Sequence, residues 1–311
     1  MSPDFLFFLE IIVSGLMAGV MYSLVALGFV LIFKASGIFN FAQGVLCLFA
    51  ALALYDFIAP GGWVDRWFGF TLPVWLGIIM TAGVMVIVAW LIERLVLRYL
   101  VNQAPIILFM ATIGLAYVLE GMGDILFGSD VKPLDIGLPQ GASDYMLDTF
   151  GLYVEKLEIV AAFVAAALVA VLAVFFQKTR IGRALRAVAD DHQAALSVGI
   201  SLRTIWVIVW SVAGIVAMVA GIMWGSKSGV QFSLSLIALK ALPVLILGGF
   251  TSVPGAIIGG LIIGVGEKLA EIYVGPLFGG AIENWFAYML ALAFLLVRPQ
   301  GLFGEKIIER V

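Results

Sequence analysis

The chain has 311 residues, 63% of them hydrophobic and 12% charged, with a formal net charge of -3. Soluble domains carry roughly 45–50% apolar and about 25% charged residues, so this composition excludes an ordinary soluble fold, points to an integral membrane protein and implies no nucleic-acid partner. The single cysteine, Cys47, excludes an internal disulfide, and with one histidine, His192, neither a cysteine-built nor a histidine-built metal site is expected.

The N-terminal stretch MSPDFLFFLEIIV is apolar but has no positive n-region, only Asp4 and Glu10. It reads as the lead-in to a first span rather than a cleaved signal. A bilayer-crossing helix needs about 20 mostly apolar residues. Such runs occur at Leu9–Phe33, Ile38–Ile58, Leu72–Leu97, Pro105–Phe127, Leu157–Phe176, Ile205–Gly225, Leu236–Gly249, Pro254–Tyr273 and Ile282–Val297. The seventh is short and ends at Gly248 and Gly249, just before Pro254 and Gly255, so a broken or re-entrant helix with a hinge is expected there. The predicted fold class is an all-α polytopic membrane protein of about eight or nine transmembrane or re-entrant helices, forming a single domain over residues 1–311.

The distribution of lysine and arginine orients the spans. Lys34, Arg94, Arg98, Lys178, Arg180, Arg183 and Arg186, and after the last span Arg298, Lys306 and Arg310, mark cytoplasmic segments. The loop 128–156 has Asp130, Asp135, Asp144, Asp148 and Glu155 against Lys132 and Lys156, and belongs outside. Small residues let helix backbones approach closely in lipid. Gly15 and Gly19 form a GxxxG pair, Gly114 and Gly121 lie in the fourth span, Gly248 and Gly249 end the seventh, and Gly255, Gly259, Gly260, Gly264 and Gly266 crowd the eighth. Tight packing is the plain reading; the density from 248 to 266 adds a backbone that bends or slides.

One passage breaks the apolar pattern: RIGRALRAVADDHQAALSVGIS, Arg180 to Ser201. Its three arginines and two aspartates would cost on the order of 15 kcal/mol at the bilayer centre, at roughly 3 kcal/mol each. It is therefore placed in the cytoplasm, within the segment 177–203. Leu185, Val188, His192 and Leu196 recur at helical spacing, Arg183, Arg186 and Asp190 fall on another face, and Gly199 stands where a helix would stop. Two readings follow: a helix lying on the lipid surface with its arginines on headgroups, or one that docks into a cytoplasmic partner. Asp190 and Asp191 beside the basic face count against the first, because anionic lipid repels them.

This passage resembles the cytoplasmic coupling loop of ABC-importer permeases, which often carries E-A-A-x3-G: Gln193, Ala194, Ala195 and Gly199 stand at that spacing, with Gln in place of Glu and without the downstream I-x-L-P. GLMAGVMYSLVALGFVLIFKASGIFNFAQG (Gly15–Gly44) and KALPVLILGGFTSVPGAIIGGLIIGVGE (Lys240–Glu267) are similar to the N- and C-terminal signatures of branched-chain amino-acid permeases. TIGLAYVLEGMGDILFG (Thr112–Gly128) and LVRPQGLFGE (Leu296–Glu305) fit the same family, in order, over nearly the whole chain. The chain looks like the LivH-type subunit of that ABC importer family. The resemblance implies a second, LivM-type permease, two ATP-binding subunits, an external solute-binding protein and a multi-pass position in the bacterial inner membrane. It also implies that Arg183, Arg186, Asp190, Asp191, Gln193 and Gly199 couple the membrane helices to an ATPase. ATP and magnesium would be bound by those partners, with no cofactor or metal in this chain.

No nucleotide loop is legible here: G-x-x-x-x-G-K-[ST] has no match, the nearest stretch being GSKSG at Gly225–Gly229. Polar residues inside spans are the candidates for a substrate path. Asn40 and Gln43, in NFAQG, either hydrogen-bond another helix or line the path. Lys240 either snorkels to an interface or pairs with a carboxylate. Tyr117 and Glu120 in the fourth span are further path candidates, while Glu267 and Glu271 beside Lys268 read as a solvated helix end. The same scaffold would also suit urea, short amides or aromatic acids. A stand-alone ion-coupled transporter requires charge pairs deep in the spans, and an embedded enzyme requires a nucleophile–base set or metal ligands; the charges here lie mostly at span ends.

Overall fold

The computed structural model describes residues 3–100, 103–190, 195, 197 and 199–304. The described chain is helical, with only isolated bridges at Lys132–Val230 and Ala142–Glu155. The helices are α1 (Pro3–Ser36), α2 (Gln43–Ile58), α3 (Trp63–Phe68), α4 (Val74–Leu95), α5 (Pro105–Phe127), α6 (Asp144–Phe150), α7 (Lys156–Lys178) and α8 (Arg180–Asp190), followed by α9 (Leu202–Ser228), α10 (Ile237–Gly248), α11 (Val253–Tyr273) and α12 (Glu283–Val297). Among the described residues seven helical stretches are long and apolar enough to cross a membrane, and Phe232–Gly248 and Glu283–Val297 are shorter apolar ones. The protein is a polytopic all-α membrane protein.

The expected spans recur with shifted ends. α1 runs over 34 residues, about 51 Å at 1.5 Å per residue, well beyond the hydrocarbon thickness. No proline interrupts it, and it closes at Gly37, whose φ of 66° suits glycine. The second helix starts at Gln43 rather than Ile38, because the Asn40 side chain draws the preceding backbone into a turn. The Phe232–Gly248 stretch is a short 3₁₀ turn, Phe232–Leu236, leading into α10.

The chain divides into two compact units: Met1–Val30, Gly137–Leu168 and Leu239–Val311 form the first, and Leu31–Ile136 and Val169–Ala238 the second. In the first, α1 and α11 pack through glycines. Gly15 and Gly19 face Gly264 and Gly260, so two GxxxG pairs meet with no room for a Cβ. Ser23 continues the seam, its Oγ donating to the Gly19 carbonyl at 2.8 Å and to the Ala256 carbonyl at 3.2 Å. In the second unit α2 is central, packed by α4, α5 and α9 and buried from Gln43 to Leu54. Gly221 of α9 lies against the Cys47 backbone, and Gly44 against the Ser235 carbonyl and Ala238.

Candidate functional site

In the second unit α8 turns sharply off the end of α7. Thr179 makes the corner: its Oγ1 donates to the Phe175 carbonyl at 2.6 Å and accepts the Gly182 N–H at 2.9 Å, capping α8. Gly182 leaves no space for a Cβ beside the Phe175 and Phe176 backbone. Leu185 and Val188 are buried, and α8 packs on α9. Arg183 and Arg186 are exposed. Downstream, Gly199 has φ 84° and the Ile200 N–H returns to the Ala195 carbonyl at 3.0 Å, the closure that ends a helix. The result is a capped amphipathic rod with its apolar side held and its arginines outward. Asp190 closes α8, whereas Asp191 and Gln193 lie outside the described residues.

Asn40 and Gln43 come together in the same unit, both fully buried. Asn40 Nδ2 donates to Gln43 Oε1 at 3.3 Å, and Asn40 Oδ1 accepts the Ala42 N–H at 3.1 Å. The pair thus closes a local turn ahead of α2 rather than bridging two helices. Thr112 of α5 ties that turn to the helix behind it: its Oγ1 accepts the Phe41 N–H at 3.0 Å and lies 3.1 Å from the Phe39 carbonyl. Gln43 Nε2 is buried with no hydrogen-bond partner. Thr112, Ala116, Leu119 and Gly123 form the buried side of α5. Tyr117 is 71% exposed and Glu120 half-buried, so neither is gathered to the Asn40–Gln43 turn.

In the first unit Lys240 pairs with a carboxylate. Its Nζ lies 3.7 Å from Glu283 Oε1 and 5.8 Å from the Tyr22 ring centroid, while Lys268 Nζ is 3.3 Å from Glu283 Oε2. Glu267 does not belong to a solvated helix end. Glu267 is 1% exposed and hydrogen-bonds Tyr22. Glu271 accepts the N–H groups of Ala281, Ile282 and Glu283 at 2.8, 2.7 and 2.9 Å and so caps α12 from a different helix. A signal for Glu267 was present in the sequence: Gly260, Gly264 and Glu267 share one face at helical spacing, so the glycine seam carries the carboxylate toward α1.

The break after the seventh span falls between Gly248 and Val253. Ser252 Oγ accepts the Gly255 N–H at 3.1 Å, with Pro254 in the first turn of α11. Gly248 and Gly255 touch backbone to backbone. The following chain closes over the break, the Leu302 and Phe303 N–H groups donating to the Leu247 and Gly248 carbonyls at 2.8 and 3.1 Å. Gly249 has φ 102° and packs against Gly301 and Gly304.

A pairing that sequence reading missed lies at the far end of α2. Lys132 Nζ is 3.5 Å from Asp56 Oδ2, donates to the Phe127 carbonyl at 2.7 Å and lies 5.0 Å from the Tyr55 ring centroid. Lys132 was legible only as a base in an acidic loop. In the other part of that loop Lys156 hydrogen-bonds Asp144 at 2.8 Å and holds its exposed carboxyl below the ordinary carboxylate range. Among the described residues no group of three or more His, Cys, Asp or Glu side chains is placed to hold a metal ion.

The described residues thus combine membrane-length helices, a glycine-packed α1–α11 seam and a capped amphipathic α8. The family model for the permease component of branched-chain amino acid transport systems matches residues 11–298. The chain belongs to this permease family. The high-affinity branched-chain amino acid transport system permease protein LivH of Escherichia coli K12 is 28% identical over 324 residues, covering 100% of both chains. BraD of Pseudomonas aeruginosa, described in the same words, is 28% identical over 316 residues, 99% of this chain and 100% of its own. A probable LivH permease of Methanocaldococcus jannaschii is 28% identical over 288 residues, 90% of this chain and 88% of its own. In this permease the matched region takes in α8 and the seven long helices of the described residues, the first of them from Ile11 onward.

Proposed function

We propose that this permease is one membrane half of an ATP-driven importer for branched-chain amino acids, of the LivH type, working by alternating access in a bacterial inner membrane. A LivM-type second permease, two ATP-binding subunits holding ATP and magnesium, and an external solute-binding protein complete it. The observation that carries the reading is α8: a short rod capped at Thr179, seated through Leu185 and Val188, with Arg183 and Arg186 exposed. Such a rod transmits a push as a rigid body. Asn40, Gln43, Tyr117, Glu120 and Lys240 are its candidate path residues, and Gly248, Gly249, Pro254 and Gly255 its candidate hinge. Urea, short amides or aromatic acids are alternative cargoes on the same scaffold.

A gentle pull-down of the tagged chain from its native membrane tests this. Two ATPase chains and a second permease are expected to co-purify. A chain recovered alone that still transports in liposomes without ATP would sink the reading. One observation favours that rival, a stand-alone ion-coupled carrier: Glu267 lies buried inside a span, and its Oε1 has no hydrogen-bond partner. Uptake that follows an imposed ion gradient would support it.

A further inference from the structure

A cavity of about 490 Å³ opens in the second unit where α2, α3 and the end of α5 meet. It is within the size range of small-molecule sites, about 300–1,000 Å³. Its ionic lining is balanced: Asp56 and Asp130 against Lys132 and Arg66. Its remaining wall includes Trp63, Ile125 and Phe127. The walls are fixed. Trp63 Nε1 donates to the Leu126 carbonyl at 3.0 Å, and its ring lies 5.5 Å from that of Phe127. Asp65 Oδ2 accepts the Gly61 N–H at 2.8 Å and Arg66 Nη2 donates to the Gly61 carbonyl at 3.1 Å, bracing the α2–α3 turn.

The polar groups keep capacity to bind. Asp56 is 4% exposed, and its Oδ2 is met only by a long ion pair, Lys132 Nζ standing 3.5 Å away. A buried carboxylate oxygen in that state is costly unless another donor reaches it. An ammonium brings three donors. Arg66 uses one guanidinium nitrogen on Gly61 and has donors left for the fork geometry a carboxylate prefers. A lone amine or a lone acid would add a net charge to this balanced lining; a zwitterion adds none and can meet both signs.

We propose that this cavity binds one free zwitterionic amino acid, its ammonium toward Asp56 and Asp130, its carboxylate on Arg66, and its apolar side chain against Ile125 and Trp63. This rests on the transport reading above for the ligand class and on the outside placement of the acidic loop. It assigns the extracytoplasmic end of α2 a holding site for substrate released by the binding protein.

The test uses the intact complex in membranes with Ile125→Cys as a reporter, since Ile125 is 85% exposed and Cys47 is buried. A membrane-impermeant maleimide added outside is expected to label Cys at 125, and leucine to slow labelling. 4-Methylpentanoate, lacking the ammonium, and 3-methylbutylamine, lacking the carboxylate, should not. R66Q changes an exposed side chain, and it should raise the half-protecting leucine concentration by at least about tenfold, as loss of a charge-assisted bond predicts; D56N should do likewise. Leucine that fails to protect, equal protection by either half-analogue, an unchanged R66Q, or protection by the binding protein alone would each overturn the site. ATP-driven leucine uptake measured in membranes carrying the unsubstituted chain separates the two ideas. Uptake without protection removes the site and leaves the transport reading, whereas protection without uptake removes the transport reading.

Discussion

Gly19 of α1 and Gly260 of α11 meet backbone to backbone, so that a Cβ on either would overlap its partner's main chain or the Ser23 hydroxyl. Those neighbours are main-chain atoms and a hydrogen-bonded side chain, which have no easy retreat. Overpacking of this kind costs about 1–3 kcal/mol. Gly19→Ala and Gly260→Ala should each lower the thermal midpoint of the detergent-solubilised chain, read by size-exclusion fluorescence after heating. Gly114→Ala and Gly121→Ala, where nothing lies within 4 Å, should leave it unchanged. A midpoint insensitive to all four would remove the seam from the account of stability.

These glycines mark what the sequence could disclose. Apolar run length located the long helices, because crossing a bilayer demands it, and gave no sign of the short α3 and α6. The GxxxG spacing of Gly15 and Gly19 announced a close approach, but not against what. Gly114 and Gly121, also inside a span but without that spacing, have no described atom within 4 Å of where a Cβ would stand. The charged faces of α8 were legible because helical periodicity separates Arg183 and Arg186 from Leu185 and Val188. Asp56 with Lys132, and Tyr22 with Glu267, were not: each pair joins residues far apart in the chain, and no local pattern encodes which carboxylate a distant group will meet. The start of α2 was misplaced for a local reason, the Asn40 side chain capturing the Ala42 N–H.

α8 should behave as a rigid handle. Reversing its exposed charges, R183E with R186E, should leave the chain folded and membrane-inserted while ATP hydrolysis by the assembled complex no longer drives uptake. Thr179→Ala removes the cap and should cost about 1 kcal/mol of local helix stability. It is expected to weaken coupling partially, seen as a lower ratio of substrate moved to ATP hydrolysed. Coupled uptake at the normal ratio in the double reversal would show that the arginines serve another purpose, such as holding lipid headgroups.

Glu271 holds the start of α12 from another helix by accepting three successive N–H groups. Glu271→Ala leaves these donors without their acceptor and should loosen the first turn of α12. Glu271→Gln keeps one acceptor oxygen and should fall between alanine and the parent. Hydrogen exchange over residues 281–286 is the direct readout. Faster exchange in alanine than in glutamine, with the rest of the chain unaltered, is expected; uniform loss of protection would mean that α12 is held by its packing on α11 instead.

Tyr22 and Glu267 form a buried pair inside the first unit, and removing one partner should be worse than weakening both. Tyr22→Phe deletes the hydroxyl that Glu267 meets and leaves a carboxylate, already carrying one oxygen without a partner, in a 1%-exposed site. The expected loss is about 1–3 kcal/mol. Glu267→Gln removes the buried charge while keeping polar atoms and shape, so its cost should be smaller. In the double variant, glutamine beside phenylalanine no longer strands a charge, and the two effects should add to less than their sum, with a coupling of about 0.5–3 kcal/mol. Thermal midpoints of the four chains in one detergent measure this. Strict additivity would mean that the two side chains act independently, and that the Glu267 carboxylate is held by Lys240 and Lys268 rather than by Tyr22.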